Sequence, residues 1–134
     1  MSANSSWSLV QEVGGEAALL EIIHDLYDRL FADMMIGFFF QPHDKSRLIQ
    51  SQYDYLTAHL GDRSGTYEGP SIRRAHETLP ILSGHFDRRH QILIAVLKDQ
   101  HVPAHIQEAW IKFDLSLRDL VVREGKKVRD SHYT

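Results

Sequence analysis

The residues with the clearest chemical potential are one histidine and two polar residues far upstream of it. His76 ends a short predicted helix in the segment RRAHETLPI, and Pro80 follows, a position that suits an axial ligand of haem iron. Tyr27 and Gln52 lie on helix faces that are otherwise apolar. Buried hydroxyl and amide groups need hydrogen-bond partners, and an iron-bound ligand would provide one. The three residues together suggest a haem pocket with two sides.

Each of these residues also has an ordinary structural explanation. Nine histidines occur in the chain, so His76 taken alone is more simply a surface or helix-capping residue. A tyrosine on an apolar helix face, such as Tyr27, is usually a core residue whose hydroxyl reaches water or a carbonyl group. Gln52 is harder to explain in this way, because it lies between Leu48 and Leu56 on one face. Both interpretations therefore stay open on the residues alone.

The hydrophobic pattern predicts an all-α chain, because apolar residues recur at three- and four-residue spacing and no stretch alternates with a period of two. The Gly14-Gly15 pair permits a sharp turn after the first helix, and Asp44 or Ser46 can cap the helix that follows the corner. The predicted helices cover residues 8–12, 16–33, a corner at 34–40, about 46–60, 71–76, 82–100 and 103–121.

The composition fits one domain. The 134 residues allow a single core, expected at about 8–122, with a polar tail at 125–134. Hydrophobic residues make up 43% and charged residues 25%, which is ordinary for a globular protein. A formal net charge of -3 gives no electrostatic argument for nucleic-acid binding. The function must therefore come from a site.

The absence of certain sequence features narrows the choice of site and location. The chain has no cysteine, which excludes disulfides, thiolate metal sites and haem attachment through Cys-x-x-Cys-His, so any haem is expected to be non-covalent. No apolar stretch reaches the roughly 18 residues of a membrane helix. The start MSANSS lacks the pattern of a secretory signal. We expect a cytoplasmic location without a membrane partner.

Two other histidine pairs are poor candidates for a zinc site. His101 and His105 are four residues apart, but Pro103 lies between them. His85 and His90 are five residues apart and therefore poorly aligned on a helix. Neither pair has an acidic third ligand at a convincing spacing, so we do not expect bound zinc.

Several short motifs, in order along the chain, resemble those of the truncated haemoglobins, a family of small two-over-two α-helical globins. The resemblance runs from about residue 8 to residue 122, and the distal residues, YEGP and HFD are most similar to group I. Pro80 and HFDRR also resemble group III. The motifs are Gly14-Gly15, HDLYDRLFAD, FFFQPHDKSRL, LGD, YEGP and AHETLPILSGHFD.

The resemblance implies a pocket for haem b and assigns residues to it. His76 matches the proximal histidine that ligates the iron, and a backbone carbonyl in the preceding turn would hold its other ring nitrogen. Phe40 matches the phenylalanine that packs on the macrocycle. The distal positions, where polar groups stabilise a bound ligand, are matched by Tyr27, Leu48 and Gln52.

The resemblance also implies residues at the edge of the haem. We expect Arg47 and Tyr67 to meet the haem propionates. Arg73 and Arg74 are further candidates, although a solvated helix face explains them equally well. Phe86 is expected to contact the haem.

Three residues depart from the family pattern. Asp62 replaces the second glycine that usually follows the distal helix, and Leu56 stands where some relatives carry an aromatic residue that gates a ligand tunnel. Arg89 stands where relatives have an apolar residue or a tryptophan on the distal side. A buried guanidinium needs an anion, so Arg89 is expected to reach a propionate, water or the ligand itself.

The implied function is reversible binding of dioxygen and other diatomic ligands, such as nitric oxide and carbon monoxide. Nitric oxide dioxygenation would need a separate reductase, because the chain carries no flavin or nicotinamide fingerprint. Storage, transport or sensing of oxygen fits the same residues. Two alternatives are a haem-free helical interaction module and a peroxidase-like haem protein in which Tyr27 or a histidine ligates the iron at rest. We favour an open or weakly water-ligated sixth position.

Overall fold

The computed structural model describes residues 7–61 and 71–123. These residues form helices and turns without a β-strand, which confirms the all-α prediction. A short 3-10 turn, Gly37–Phe39, lies between the second and third helices and is called the corner turn below. The α-helices are α1 (Leu9–Val13), α2 (Glu16–Ala32), α3 (Lys45–His59), α4 (Ile72–His76), α5 (Ser83–Asp99), α6 (Ala104–Ser116) and α7 (Arg118–Val121).

Helix α2 is the centre of the packing. It lies against α3 and α5, and α5 in turn packs on α6, so that one pair of helices covers another. The short α1 touches α2, α3 and α6, and α4 is held against α7.

The core forms because each long helix presents one apolar stripe. On α2, buried residues recur every three or four positions, the spacing that brings side chains to one helix face. The stripes of α3, α5 and α6 meet it. Fully buried members of this core are Leu19, Ile23, Leu26, Leu30, Leu56, Leu93, Val96, Leu97, Ile106 and Trp110.

The predicted turn between the first two helices is present. Ser8 caps α1 by accepting a hydrogen bond from the backbone N–H of Gln11 at 3.3 Å. Gly14 ends α1 with φ 110° and Gly15 precedes α2 with φ 118°. Side chains disfavour such positive φ values, which explains the glycine pair.

The corner differs from the predicted helix at 34–40. Only the corner turn is helical, because the Asp33 carboxylate accepts hydrogen bonds from the backbone N–H groups of Met35 and Ile36 and so ends α2. Asp44 then caps α3 by accepting from the N–H of Ser46 at 3.0 Å. The side chain of Met34 is fully exposed beside this turn.

The last predicted helix, 103–121, is divided at Leu117 into α6 and α7. The Ser116 hydroxyl donates a hydrogen bond to the carbonyl oxygen of Phe113, which competes with the regular helix ladder. The break lets α7 pack against α4.

Candidate functional site

A cavity of about 320 Å³ lies inside the domain and takes side chains from α2 to α7 and from the corner turn. Its walls are mainly apolar. Several polar groups also reach it, which is the usual composition of a small-molecule site. The apolar lining includes Ile36, Phe39, Phe40, Leu48, Leu56, Ile72, Leu79, Ile81, Phe86, Trp110, Phe113 and Leu117.

His76 is half-buried at the end of α4 and lines this cavity. Its Nδ1 atom lies 2.8 Å from the carbonyl oxygen of Ile72, one turn earlier in the helix. A carbonyl can only accept, so Nδ1 carries the proton and Nε2 keeps the lone pair. Burial lowers the pKa of the His76 imidazole. The hydrogen bond to Ile72 raises this pKa, and the charges of Arg89 and Arg123 lower it further. The ring is therefore kept neutral, as a metal ligand must be.

Tyr27 and Gln52 meet in the same cavity although they lie on different helices. The buried Tyr27 hydroxyl donates to Gln52 Oε1 across a long distance of 3.5 Å. Leu48, one turn before Gln52 on α3, covers the wall beside them. The structure thus brings together the polar pair that the sequence placed on apolar helix faces.

Two phenylalanines complete the walls near these groups. The ring of Phe40 meets the Tyr27 ring edge-on, with the centroids 6.1 Å apart. Phe86 is buried on α5 and stacks on the His90 ring at a centroid distance of 6.2 Å. Both line the cavity and hold the polar side chains in place by packing.

Arg89 also faces the cavity, and its anion is Asp114 of α6. The Arg89 Nη1 atom lies 2.7 Å from Asp114 Oδ1, and Asp114 Oδ2 accepts a second hydrogen bond from His90 Nδ1, also at 2.7 Å. The exposed side-chain fractions are 22% for Arg89, 12% for His90 and 8% for Asp114. The three side chains form a partly buried network between α5 and α6.

The network acts on the Tyr27 phenol. Burial raises the pKa of Tyr27, and the charge and hydrogen bonding of the Arg89 guanidinium oppose that rise. Burial would lower the pKa of Arg89, but Asp114 and Tyr27 more than compensate and hold it above its ordinary value. The cavity therefore contains a neutral phenol beside a permanent cation.

The residues expected at the haem edge are placed less uniformly. Arg47, Arg73 and Arg74 are exposed and do not line the cavity among the described residues. Tyr67 and Asp62 lie outside the described residues. Cavity-lining residues that sequence reasoning did not assign to the site include His43, Ser51, Tyr55, Ile72, Ala75 and Asp114.

Asp114 is the most informative of these missed residues, and the sequence carried a signal for it. It lies one turn after Trp110 on the apolar stripe of the last long helix, where a carboxylate needs a cation. Arg89, by the same reasoning, needed an anion. Pairing the two requires knowing that their helix faces meet, which the sequence alone does not reveal.

The residues present fit a haem. One wall supplies an imidazole, His76, whose Nδ1 is fixed by a carbonyl so that Nε2 can ligate iron. Tyr27 and Gln52 supply polar groups elsewhere in the same cavity, and the rest of the lining is largely hydrocarbon and aromatic. This donor set suits a haem whose iron His76 would ligate, with polar groups in the same cavity that could meet a small ligand.

Comparisons with known proteins agree with this architecture. Residues 8–121 match the family described as bacterial-like globin. A group 1 truncated haemoglobin of Tetrahymena pyriformis is 27% identical over 125 residues, which cover 93% of this chain and 90% of that protein.

Two solved structures show the fold. The Fe(III) form of the Tetrahymena pyriformis truncated haemoglobin has a TM-score of 0.73 and 28% identity, covering 86% of this chain and 98% of that one. The 2/2 haemoglobin of Synechococcus, in a cyanomet state with covalently attached haem, has a TM-score of 0.76 and 26% identity, covering 83% and 93%. The predicted two-over-two globin fold is confirmed.

Proposed function

Because the chain belongs to the group 1 truncated haemoglobins of the bacterial-like globin family, we propose that it binds haem b in the cavity and reversibly takes dioxygen and other diatomic ligands there. The observation that carries the proposal is the convergence of His76, Tyr27 and Gln52 on one cavity from three separate helices. A core packed only for stability would not need a lone-pair nitrogen and a hydroxyl-amide pair in the same cavity.

The chain would hold haem through few contacts of high specificity. His76 Nε2 provides the metal ligand, with the Ile72 carbonyl fixing the ring. Phe40, Leu48 and Phe86 supply apolar surface for the macrocycle. When bound, haem would supply an iron that takes a small ligand.

Tyr27 and Gln52 would stabilise that ligand. The phenol proton now directed at Gln52 Oε1 can turn to a ligand, and the Gln52 amide can donate as well. A hydrogen bond to a partly charged acceptor is worth about 1.5–3 kcal/mol, which slows ligand escape about tenfold or more. Slow release of dioxygen is the expected behaviour.

Oxidation of nitric oxide to nitrate is the turnover that such retention favours. The balance is NO + O2 + e− → NO3−, so each turnover consumes one electron that a separate reductase must supply. Storage, transport or sensing uses the same binding step without the electron. Nitrate formation with an added reductant, measured against a protein-free control, separates the two uses.

The test of haem binding is the absorption spectrum of the haemin-supplied protein and a His76→Ala variant, recorded ferric, reduced and with carbon monoxide. We expect a strong Soret band that shifts on reduction and ligand binding, and that is weakened or altered in the variant. The matched control is His43→Ala, which removes another cavity-lining histidine and should keep the band positions. A helical protein without a Soret band after haemin addition would overturn the proposal and favour a haem-free module.

Non-covalent attachment is a separate part of the proposal. The Synechococcus relative carries covalently attached haem, whereas this chain has no cysteine for thioether bonds. Extraction into acidified ketone should remove all haem, and denaturing mass spectrometry should give the mass of the bare polypeptide. A polypeptide mass increased by that of one haem would contradict non-covalent binding.

A further inference from the structure

Arg89 is a cation inside the cavity that the binding of neutral diatomic ligands does not require. Its guanidinium is kept in place by Asp114 at 2.7 Å, and the carboxylate is itself held by a second donor, His90 Nδ1, at 2.7 Å. Only 8% of the Asp114 side chain is exposed. The cation is therefore preorganised, and ligand binding would not need to order it.

Arg89 on α5 and Tyr27 on α2 line the same cavity, and these two helices pack against each other. Burial raises the pKa of the Tyr27 phenol most strongly, and the charge and hydrogen bonding of Arg89 lower it. The guanidinium therefore faces the same space as the ligand-stabilising pair, Tyr27 and Gln52.

Three kinds of hydrogen-bond donor thus line this part of the cavity: the guanidinium of Arg89, the hydroxyl of Tyr27 and the amide of Gln52. The bond to Asp114 uses Nη1, and a guanidinium has five N–H donors in one plane. A donor-rich site with a permanent charge and little water stabilises an anion more than a neutral molecule. Because Asp114 cancels the charge at long range, contact with the bound anion matters more than attraction from a distance.

We propose that Arg89, with Asp114 as its positioning residue, makes this side of the cavity a binding site for small inorganic monoanions such as azide and nitrite. The inference rests on the proposed function, because the anion would be a ligand of the ferric haem.

The experiment is a titration of the ferric haem protein with azide, followed by absorption, for the unmodified chain and for Arg89→Gln. Glutamine keeps a donor for Asp114 but removes the charge. We expect azide affinity to fall about tenfold or more, mainly through faster dissociation. Carbon monoxide affinity of the reduced protein should change much less, because this ligand is neutral. Arg89→Lys, which restores the charge, should recover part of the azide affinity.

The matched control is Arg88→Gln, which removes the same charge one residue earlier. Arg88 is half-exposed and binds Asp33, and neither side chain lines the cavity, so loss of Arg88 should leave azide affinity unchanged. Unchanged azide affinity in Arg89→Gln, or an equal loss for azide and carbon monoxide, would overturn the proposal.

Haem transfer to a haem-free acceptor globin gives an independent readout. Faster haem loss from Arg89→Gln with unaltered azide affinity would assign Arg89 to a haem propionate and overturn the anion site. Failure of the unmodified chain to bind haem would instead contradict the proposed function. The Soret band therefore distinguishes failure of the proposed function from failure of the anion site.

Discussion

Single hydrogen bonds decide which atoms in the cavity face a ligand. The Ile72 carbonyl fixes the proton on His76 Nδ1, and Gln52 accepts from the Tyr27 hydroxyl. Asp114 holds Arg89 in the same way. Each partner is a short-range contact in a poorly solvated interior, so each can be tested by removing one group at a time.

Tyr27→Phe removes the hydroxyl and keeps the ring that packs edge-on against Phe40. We expect dioxygen to dissociate about tenfold faster or more, because one hydrogen bond to the ligand is lost. Stopped-flow displacement of dioxygen by carbon monoxide measures this rate. Tyr53→Phe is the control, since the Tyr53 hydroxyl contacts Glu16 at the surface. Equal rates in all three proteins would contradict a donor role for Tyr27.

Asp114→Asn leaves the partly buried Arg89 charge without its anion. We expect the free energy of unfolding to fall by about 3 kcal/mol, measured by urea denaturation of the haem-free protein. Replacing both Arg89 and Asp114 with leucine should cost less than this single change, because no unpaired charge remains. Asp87→Asn, in the exposed pair with Arg118, should have little effect. Unaltered stability of Asp114→Asn would mean that the network does not stabilise the fold.

At the scale of the secondary-structure elements, the corner turn and the helix ends determine how side chains are positioned at the cavity. Asp33 ends α2, the corner turn follows at once, and Phe39 and Phe40 then reach the cavity. Gly37 lies at the tightest point of this path. A Cβ there would be 2.8 Å from the Phe31 carbonyl oxygen, a backbone atom that cannot move away cheaply.

Gly37→Ala should therefore shift the corner, destabilise the protein by roughly 1–3 kcal/mol and speed haem loss. Gly84→Ala is the matched control, because a Cβ at Gly84 meets nothing closer than Met35 Cε at 4.0 Å and the residue lies in a helix. It should be neutral or slightly stabilising. Thermal unfolding and haem transfer measure both effects. Similar results for the two variants would mean that the corner does not limit the pocket.

At the scale of the whole molecule, charged side chains join the helices around α2. Lys45 at the start of α3 binds Asp28, and Arg88 of α5 binds Asp33. These hydrogen bonds lower the pKa of Asp28 and of Asp33 below the ordinary value of 3.8.

The described helices also include none long and apolar enough to cross a membrane.

The lowered pKa values predict how stability depends on pH. The unfolded chain binds protons at higher pH than the folded one, so the stabilisation is complete above about pH 4 and is lost as the pH falls through the folded pKa values. A variant with both Asp28→Asn and Asp33→Asn should be less stable than the unmodified protein near neutral pH, and the gap should close below about pH 4. Urea unfolding across pH measures this. A gap that stays constant with pH would contradict the prediction.

Much of the fold was predictable because it depends on local pattern. The stripe on α2, the glycines before it and the cap at Asp44 act within a few residues of sequence. The break at Leu117 was not predicted, because the Ser116 side chain competes with a ladder whose apolar periodicity continues unbroken. The corner was predicted as a helix because it is dense in apolar residues, and that pattern gives no sign of the Asp33 hydrogen bonds that end α2.

The sequence by itself determined the all-α class, and it predicted a histidine at the end of α4 and two polar residues on apolar helix faces. Only the tertiary structure decided which groups share the cavity: Tyr27 with Gln52, and Arg89 with Asp114. Helix formation follows from near neighbours, whereas these partners are about 25 residues apart in each pair. Their contact depends on how whole helices cross and on the burial that makes each polar group need a partner.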